Sequence, residues 1–128
     1  MVTREVIERT LRQLNEVENS RSLDPTAKSD LVDGLSADDV QGWANGTSRG
    51  RAEEREVEAF LWSTFPDYHR EFERVVIEPP TAAVQWRMTG SNEDLDLPGE
   101  LHSVSIMEFD DGGRIKRYWI YYDDPLRG

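Results

Sequence analysis

Cysteine is absent from this sequence, and so is any long run of apolar residues. Without cysteine the chain can form neither disulfides nor thiolate nucleophiles nor cysteine-based metal sites. The N-terminal stretch MVTREVIERTLRQ has no apolar run of the kind that a signal peptide or a membrane span requires. We therefore expect a cytoplasmic protein that does not enter a membrane.

Positive charge is scarce, since 15 Lys and Arg stand against 26 Asp and Glu and the formal net charge is -11. Nucleic acids and anionic membrane surfaces bind proteins mainly through Lys and Arg. The sequence thus predicts neither nucleic acid nor a membrane as a partner. Aromatic residues make up 9% of the chain, which indicates a packed core rather than disorder. The length of 128 residues suits one domain spanning 1–128.

Two amphipathic helices are predicted near the N-terminus. Apolar residues recur at helical spacing over 2–17, and Thr3 is placed to cap this first helix. Asp24-Pro25 is typical of an N-cap followed by proline at the first helical position, and Gly34 is placed to end the second helix. The buried stripe of the second helix is predicted to be Ala27, Leu31 and Leu35.

A third helix is predicted over 51–64 and is stopped by Pro66. Its core-facing residues would be those at i, i+3, i+4 and i+7, namely Val57, Phe60, Leu61 and Thr64. Charged residues, Glu54 and Glu58 among them, would fill the remaining surface. Before this helix we expect a turn over 36–39, a short strand over 40–44 and a loop over 45–50.

Strands dominate the second half of the chain. Residues 68–77 become apolar on both sides at Val75-Val76-Ile77, as in a strand entering a covered region. Residues 81–89 alternate, with Ala82, Val84, Trp86 and Met88 on one face. An acidic loop over 90–99 follows.

The last strand pair, over 101–123, gives the strongest local signal. Two runs rich in β-branched and aromatic residues flank Asp110-Asp111-Gly112-Gly113, where glycine can supply the positive φ of a tight turn. Alternation places Tyr118, Ile120 and Tyr122 on one face of the second strand. The order of elements predicts an α+β fold, in which about three helices lie against a curved antiparallel sheet and enclose one pocket.

Five segments carry a resemblance to a known family. They are 35–40 (LSADDV), Gly50, 65–68 (FPDY), 84–90 (VQWRMTG), and 109–115 (FDDGGRI) leading to 121–123 (YYD). In this order and spacing they resemble the SnoaL-like branch of the nuclear transport factor 2-like superfamily over nearly the whole chain. The resemblance implies a cone-shaped α+β barrel with an apolar cavity, commonly dimeric through the outer sheet face. Members include polyketide cyclases, a ketosteroid isomerase and limonene-epoxide hydrolase.

The family's acid/base positions carry other residues here. Cyclases and epoxide hydrolases place an inward aspartate in the last strand, and the matching position is Ile120, which cannot transfer a proton. The ketosteroid isomerase base matches Trp43-Ala44, and no tyrosine stands near Thr10. If Ile120 points inward, alternation places Tyr118 and Tyr122 in the cavity with it.

Six residues are candidate site residues, and each has an alternative reading. The candidate ligand contacts are Trp43, Trp86, Tyr118, Ile120 and Tyr122, although core packing would also explain the tyrosines, and a core or rim position is favoured for the tryptophans. Tyr122 and Glu108 are the candidate catalytic groups. Glu108 lies between Met107 and Phe109, where desolvation would raise the pKa of a carboxyl group, but a salt bridge to Arg114 or Arg117 would also explain it.

Other polar residues suggest no site. His69 and His102 have no identifiable catalytic partner. The carboxylates of the 91–100 loop, Glu93, Asp94, Asp96 and Glu100, lack the spacing of a calcium loop and are predicted to be solvated. No phosphate loop or serine nucleophile motif occurs, so we predict no metal and no cofactor.

Two functions remain open. The first is binding of a small apolar molecule in the cone cavity by a homodimeric SnoaL-like enzyme of the isomerase or cyclase type, acting on a ketone or polyketide-like substrate. The second is a non-catalytic module for ligand binding or protein interaction, which the isoleucine at position 120 favours.

Overall fold

The computed structural model describes residues 1–94 and 99–122. In these ranges the chain forms three helices, α1 (Arg4–Glu18), α2 (Pro25–Gly34) and α3 (Arg51–Thr64). Six strands accompany them: β1 (Ser36–Ala44), β2 (Thr47–Arg49), β3 (His69–Glu78), β4 (Thr81–Thr89), β5 (Glu100–Phe109) and β6 (Ile115–Tyr122). The predicted α+β class and the curved sheet are confirmed.

The helices begin where their capping residues predict. The Thr3 side chain accepts a hydrogen bond from the Val6 backbone N–H at 3.3 Å, and Asp24 accepts one from Ala27 at 2.8 Å. Helix α3 has the predicted bounds, and α2 ends at Gly34. None of the described helices has the length and apolarity that a membrane crossing needs.

The predicted buried faces of α2 and α3 are confirmed only in part, since Leu35 and Leu61 pack against the core. In α2 the buried residues are Lys28 and Ser29, whereas Leu31 is exposed. In α3 they are Glu58 and Trp62, whereas Phe60 is 53% exposed. The most buried positions of both helices include charged residues, because the helices face an internal polar cluster formed with α1 and β3.

Strand β1 is longer than predicted and includes the residues expected to form a turn over 36–39. It pairs in parallel with β6, from Ser36 opposite Ile115 to Ala44 opposite Ile120. The predicted loop over 45–50 contains a turn at Asn45-Gly46, both with positive φ, and then β2. The long-range pairing with β6 holds β1 extended, which local sequence does not reveal.

The sheet is open, with strand order β2-β1-β6-β5-β4-β3, and every neighbouring pair except β1–β6 is antiparallel. Its concave face packs on α1 through a core that includes Ile7, Leu11, Val84, Met107 and Phe109. In β4 the predicted alternation is confirmed, since Ala82, Val84, Trp86 and Met88 are all buried. In β3 only Ile77 of the apolar run over 75–77 is buried.

The last hairpin turn is fastened to the first helix. Gly113 has φ of 85°, and a Cβ at this position would lie 2.3 Å from Cγ1 of Val6. The Thr10 hydroxyl donates to the Gly113 carbonyl at 2.7 Å. Glycine is therefore required here by both backbone conformation and packing. The predicted hairpin is confirmed for its described part, and Asp123 lies outside the described residues.

Candidate functional site

A cavity of about 280 Å³ lies between α3, the end of α1 and the concave face of the sheet. Its apolar wall on the sheet side is formed by Trp86, Met88, Leu101 and Ile120. On the helix side, Val57, Phe60, Leu61, Trp62 and Phe65 complete that wall. This volume is at the small end of the range for ligand pockets, so a compact molecule would fill it.

The rest of the wall is unusually polar for the inside of a domain of this size. It carries four carboxyl groups, two guanidinium groups and two phenols, namely Glu18, Glu54, Glu58, Glu100, Arg49, Arg70, Tyr68 and Tyr122. Glu18 and Glu58 are both buried. Burying charged groups is costly unless they are paired or lose their charge, so the partners of each one define the chemistry of the site.

Glu18 ends helix α1 and is held by Tyr68, just before β3, and by Arg70 in β3. The Arg70 guanidinium lies 3.4 Å from its Oε1, and the Tyr68 hydroxyl donates to its Oε2 at 3.3 Å. Burial raises the pKa of Glu18, whereas Arg70 opposes that rise. The Lys28 ammonium, from α2, donates to the Glu18 backbone carbonyl at 2.7 Å and lies 4.4 Å from the Trp62 ring centroid.

Glu54 lies at the other side of the cavity and is also paired. Its Oε2 accepts hydrogen bonds from Arg49 at 3.1 Å and from the Tyr118 hydroxyl at 2.9 Å. Arg49 also approaches the Tyr122 hydroxyl at 3.5 Å. The Tyr118 ring crosses β1 at Gly42, where a Cβ would lie 2.1 Å from the ring. Glycine at 42 thus makes the room that lets Tyr118 reach Glu54.

Glu58 differs from both neighbours because it has no ion pair or hydrogen-bond partner among the described residues. Burial raises its pKa to about 9, and the charges of Glu18 and Glu54 add to the rise. At neutral pH it is therefore a carboxylic acid, able to donate a hydrogen bond or a proton to a molecule in the cavity. Because Glu54 and Glu58 are i and i+4 on α3, a paired carboxylate and an unpaired acid lie side by side.

Four of the six predicted site residues belong to this region. Trp86, Ile120 and Tyr122 line the cavity, and Tyr118 lies behind it as the partner of Glu54. The Trp86 indole N–H donates to Ser105 at 2.9 Å, which fixes the ring as part of the wall. These placements follow from the alternation along β4 and β6.

Trp43 and Glu108 are not brought into the cavity. Both lie on the convex face of the sheet, because each stands on the opposite side of its strand from the wall residues. Trp43 stacks on Trp119 with ring centroids 5.3 Å apart, and the Arg117 guanidinium donates to Glu108 at 2.8 Å. The salt bridge considered for Glu108 is therefore present, and its carboxylate does not meet a ligand in the cone.

The remaining candidates also lie outside the cavity or at its edge. His69 and His102 are exposed, and His102 lies 3.2 Å from Glu100. Glu100 reaches the cavity rim, whereas Asp96 lies outside the described residues. Over 1–94 and 99–122, no group of three or more His, Asp or Glu side chains is arranged to hold a metal ion.

The buried charged residues were missed by sequence reasoning, which placed Glu54 and Glu58 on a solvated helix face. A signal did exist in α3, since Glu54, Glu58 and Trp62 follow one another at i, i+4 and i+8. Glu18 and Arg70 gave no comparable signal, because they lie 52 positions apart and meet only in the fold.

Comparison with known proteins agrees with this architecture. A family model for the SnoaL-like domain matches residues 11–118. The chain belongs to the SnoaL-like family. No curated protein sequence matches it.

Solved structures share the fold of this SnoaL-like protein at low sequence identity. AclR, a candidate hydroxylase from Streptomyces galilaeus, superposes with a TM-score of 0.79 at 16% identity over 97% of this chain and 94% of that chain. IdmH, a candidate polyketide cyclase from Streptomyces antibioticus, gives 0.72 at 20% identity over 91% of each chain. A protein with a ketosteroid isomerase-like fold from Catenulispora acidiphila, solved in complex with trimethylamine, gives 0.69 at 14% identity over 89% of this chain and 85% of that chain. At these identities the likeness shows the fold alone.

Proposed function

We propose that this SnoaL-like protein is an acid/base enzyme of the isomerase or cyclase type, acting on a compact and mainly apolar carbonyl compound held in the cone. The observation that carries the proposal is the buried, unpartnered carboxyl group of Glu58, which lines the cavity one helical turn from the ion-paired Glu54. A carboxyl group that burial keeps protonated, next to an ion-paired carboxylate, is suited to the two halves of a proton transfer.

The roles follow from the protonation states. Glu58 would donate its proton, or a hydrogen bond, to the carbonyl oxygen of the substrate, and the Glu54 carboxylate would take a proton from the adjacent carbon. The product of this step is an enol or enolate. Return of the proton at another carbon completes an isomerisation, whereas attack of the carbon on a second carbonyl group of the same molecule closes a ring.

Arg49 and the tyrosines would support this step rather than perform it. Arg49 and Tyr118 hold the Glu54 carboxyl group in place by hydrogen bonds to its Oε2, and Tyr122 offers a phenol hydroxyl at the cavity wall. Tyr122 thus stays in the proposal as a substrate contact. Glu108 has no role in it, because its carboxylate is paired with Arg117 on the other face of the sheet.

Exchange of carbon-bound hydrogen in D₂O tests the reaction class without a known substrate. We would incubate the full chain with small ketones such as 1-indanone and follow loss of the α-proton signal by NMR. Glu58→Gln should reduce exchange by about 10²-fold or more, because an amide cannot supply the proton. Glu108→Gln, a matched change outside the cavity, should leave it unaltered. Equal exchange in the two variants would contradict the proposed role of Glu58.

A non-catalytic ligand-binding module is the second candidate function. The observation that favours it is Ile120, which lines the cavity where the cyclases of the resembled family place an inward aspartate. Native mass spectrometry, combined with the exchange assay, distinguishes a binding module from an enzyme. A small molecule that copurifies and leaves on denaturation, with no exchange on any ketone, would favour the binding module.

We also propose that the protein is a homodimer in the cytoplasm, joined through the convex face of the sheet. That face carries the Trp43–Trp119 stack together with Val104, Ile106 and Tyr121, which are 41%, 36% and 51% exposed. A contiguous apolar patch of this kind marks interaction surfaces. Light scattering coupled to gel filtration would report the subunit count.

A further inference from the structure

Phe60 is the most exposed apolar residue of the cavity wall. It is 53% exposed, whereas Trp62 and Trp86 in the same wall are buried. Among the described residues of this wall, Glu100 is the other exposed one. The cavity therefore opens to solvent between the outer side of α3 and the start of β5.

The apolar wall continues around α3 from the inside of the domain to its surface. At about 100° per residue, Leu61 and Val57 lie about 60° and about 100° around the helix from Glu58. Phe60 lies about 160° away in the same direction. Exposure increases in this order, from buried through half-buried to exposed. Val57, Phe60 and Leu61, here called the α3 strip, thus lead from Glu58 to the mouth of the cavity.

The spacing of the α3 strip is that of a core-facing stripe, but the core covers only part of it. Leu61 packs against the hydrophobic core, whereas Phe60 stays exposed. Leu31, on the neighbouring helix α2, is 48% exposed as well, but it does not line the cavity. A single exposed apolar residue such as Leu31 needs no explanation, whereas Phe60 continues the wall of a largely apolar cavity. A molecule that covers Phe60 is therefore expected to occupy the cavity too.

The size of the cavity indicates how long such a ligand must be. A cavity of ~150 Å³ holds one benzene ring, so the volume of about 280 Å³ holds about two rings, or about ten carbon atoms. A ligand of that size is enclosed and leaves the exposed part of Phe60 in water. Covering this part takes a longer molecule, and removal of its apolar surface from water favours binding.

We infer that the ligand is an elongated apolar carbonyl compound of more than about ten carbon atoms, whose far end leaves the cavity across Phe60. Its carbonyl end lies at Glu58, and its body follows the α3 strip to the mouth. The inference rests on the proposed function, because it takes the cavity as the site where the substrate reacts. Phe60 is then a specificity-determining residue, which favours long substrates over short ones without taking part in the proton transfer.

A homologous series of methyl ketones, from 2-hexanone to 2-tridecanone, measures the length of the apolar contact. Binding to the full chain is followed by tryptophan fluorescence, since Trp62 and Trp86 line the cavity. Each buried methylene should raise the affinity about fourfold, and the rise should continue beyond about ten carbon atoms. Phe60→Ala should weaken binding of 2-tridecanone about tenfold and binding of 2-hexanone less than about twofold.

Two further variants show whether the effect belongs to the mouth of the cavity. Leu31→Ala removes an exposed apolar side chain from α2 and should change every affinity by less than about twofold. Phe60→Leu keeps an apolar side chain at the mouth and should hold the affinity for 2-tridecanone within about threefold of the parent value. All three substitutions lie at exposed helix positions, so each variant should fold.

The outcomes separate this inference from the proposed function. An affinity that stops rising at shorter ketones, or an equal effect of Phe60→Ala on long and short ketones, would overturn the inference, whereas exchange on the small ketone 1-indanone would still test the reaction. A changed subunit count in Phe60→Ala with unchanged binding would show that a second copy covers Phe60, and would overturn the inference as well. Absence of binding by every ketone would overturn the cavity site and the proposed function together.

Discussion

In the middle of strand β5 the usual distribution of polarity between the two faces is reversed. On the concave side Ser103 and Ser105 are buried, whereas on the convex side Val104 and Ile106 are exposed. The same contrast holds for glutamates, since Glu58 inside the cone has no partner and keeps its proton, while Glu108 outside is paired with Arg117. Polar groups inside and apolar groups outside are typical of a sheet with a functional interior and a surface meant for contact.

The largest expected effect is on the free energy of unfolding, when a large buried side chain is removed from the concave face. Trp86→Ala should cost about 3–5 kcal/mol in the free energy of unfolding, because the ring is buried, packs under Arg70 and donates to Ser105. Trp43→Ala, on the convex face, should cost distinctly less in the monomer. Urea unfolding followed by circular dichroism measures both, and a loss below about 1 kcal/mol for Trp86 would show that the wall does not depend on it.

The next largest effect is the pH dependence of stability conferred by Glu58. Its pKa is 4.5 when unfolded and about 9 in the folded chain, so between these values the unfolded state binds fewer protons and stability falls as pH rises. Glu58→Gln should remove this fall and stabilise the protein at pH 8 by an amount on the order of a few kcal/mol. Thermal unfolding from pH 5 to 9 measures it, with Glu108→Gln as the control.

The groups that face Glu58 set the sign of that prediction. Glu18 from α1 and Glu54 from its own helix raise its pKa, together with Asp33, while Arg70 from β3 opposes them. Lys28 from α2 is also attracted to it. If Glu58→Gln instead lowered stability at pH 8, these cations would outweigh the burial, and Glu58 would be an ordinary paired carboxylate.

A smaller effect is expected where the hairpin turn meets α1. Gly113→Ala combines a positive φ with a clash against Val6, and should cost about 1–3 kcal/mol. Gly46→Ala is a useful comparison, because it has a positive φ of 84° but open space around it. The difference between the two variants in urea unfolding isolates the packing contribution, and equal losses would show that backbone strain alone accounts for the effect.

The smallest effect on monomer stability, within about 0.5 kcal/mol, is expected for Ile106→Lys on the convex face. It should nevertheless shift a dimer toward the monomer, because it places a charge in the apolar patch beside the Trp43–Trp119 stack. Analytical ultracentrifugation compares it with the parent protein across a concentration series. A parent protein that is monomeric at every concentration would contradict the proposed dimer.

Local signals predicted the parts of the fold that local forces determine. The caps at Thr3 and Asp24, the alternation of β4 and the hairpin at 110–113 each have a cause within a few residues, and the structure confirms them. The parallel pairing of β1 with β6 has no such cause. It joins segments more than 70 positions apart, so no short stretch of sequence contains both strands.

The candidate site was only half predictable for the same reason. Alternation along β6 placed Ile120 and Tyr122 at the cavity, because a strand has a fixed period. The buried polar half depends on the phase of α3 and on Arg70, Glu18 and Lys28 meeting from three elements. From the sequence alone a glutamate on an amphipathic helix is predicted to be exposed to solvent, because its neighbours in space are not known.

The hydrogen bond between Thr10 and Gly113 affects when the first helix can pack during synthesis of the chain. It links positions 103 apart, and Arg4 likewise reaches the Ile77 carbonyl at 2.7 Å, 73 positions away. During synthesis the apolar face of α1 therefore stays uncovered until the strands that pack on it, β3 to β6, have been made. The packing of α1 is consequently a late step relative to its own synthesis, because its contacts come from strands made well after it.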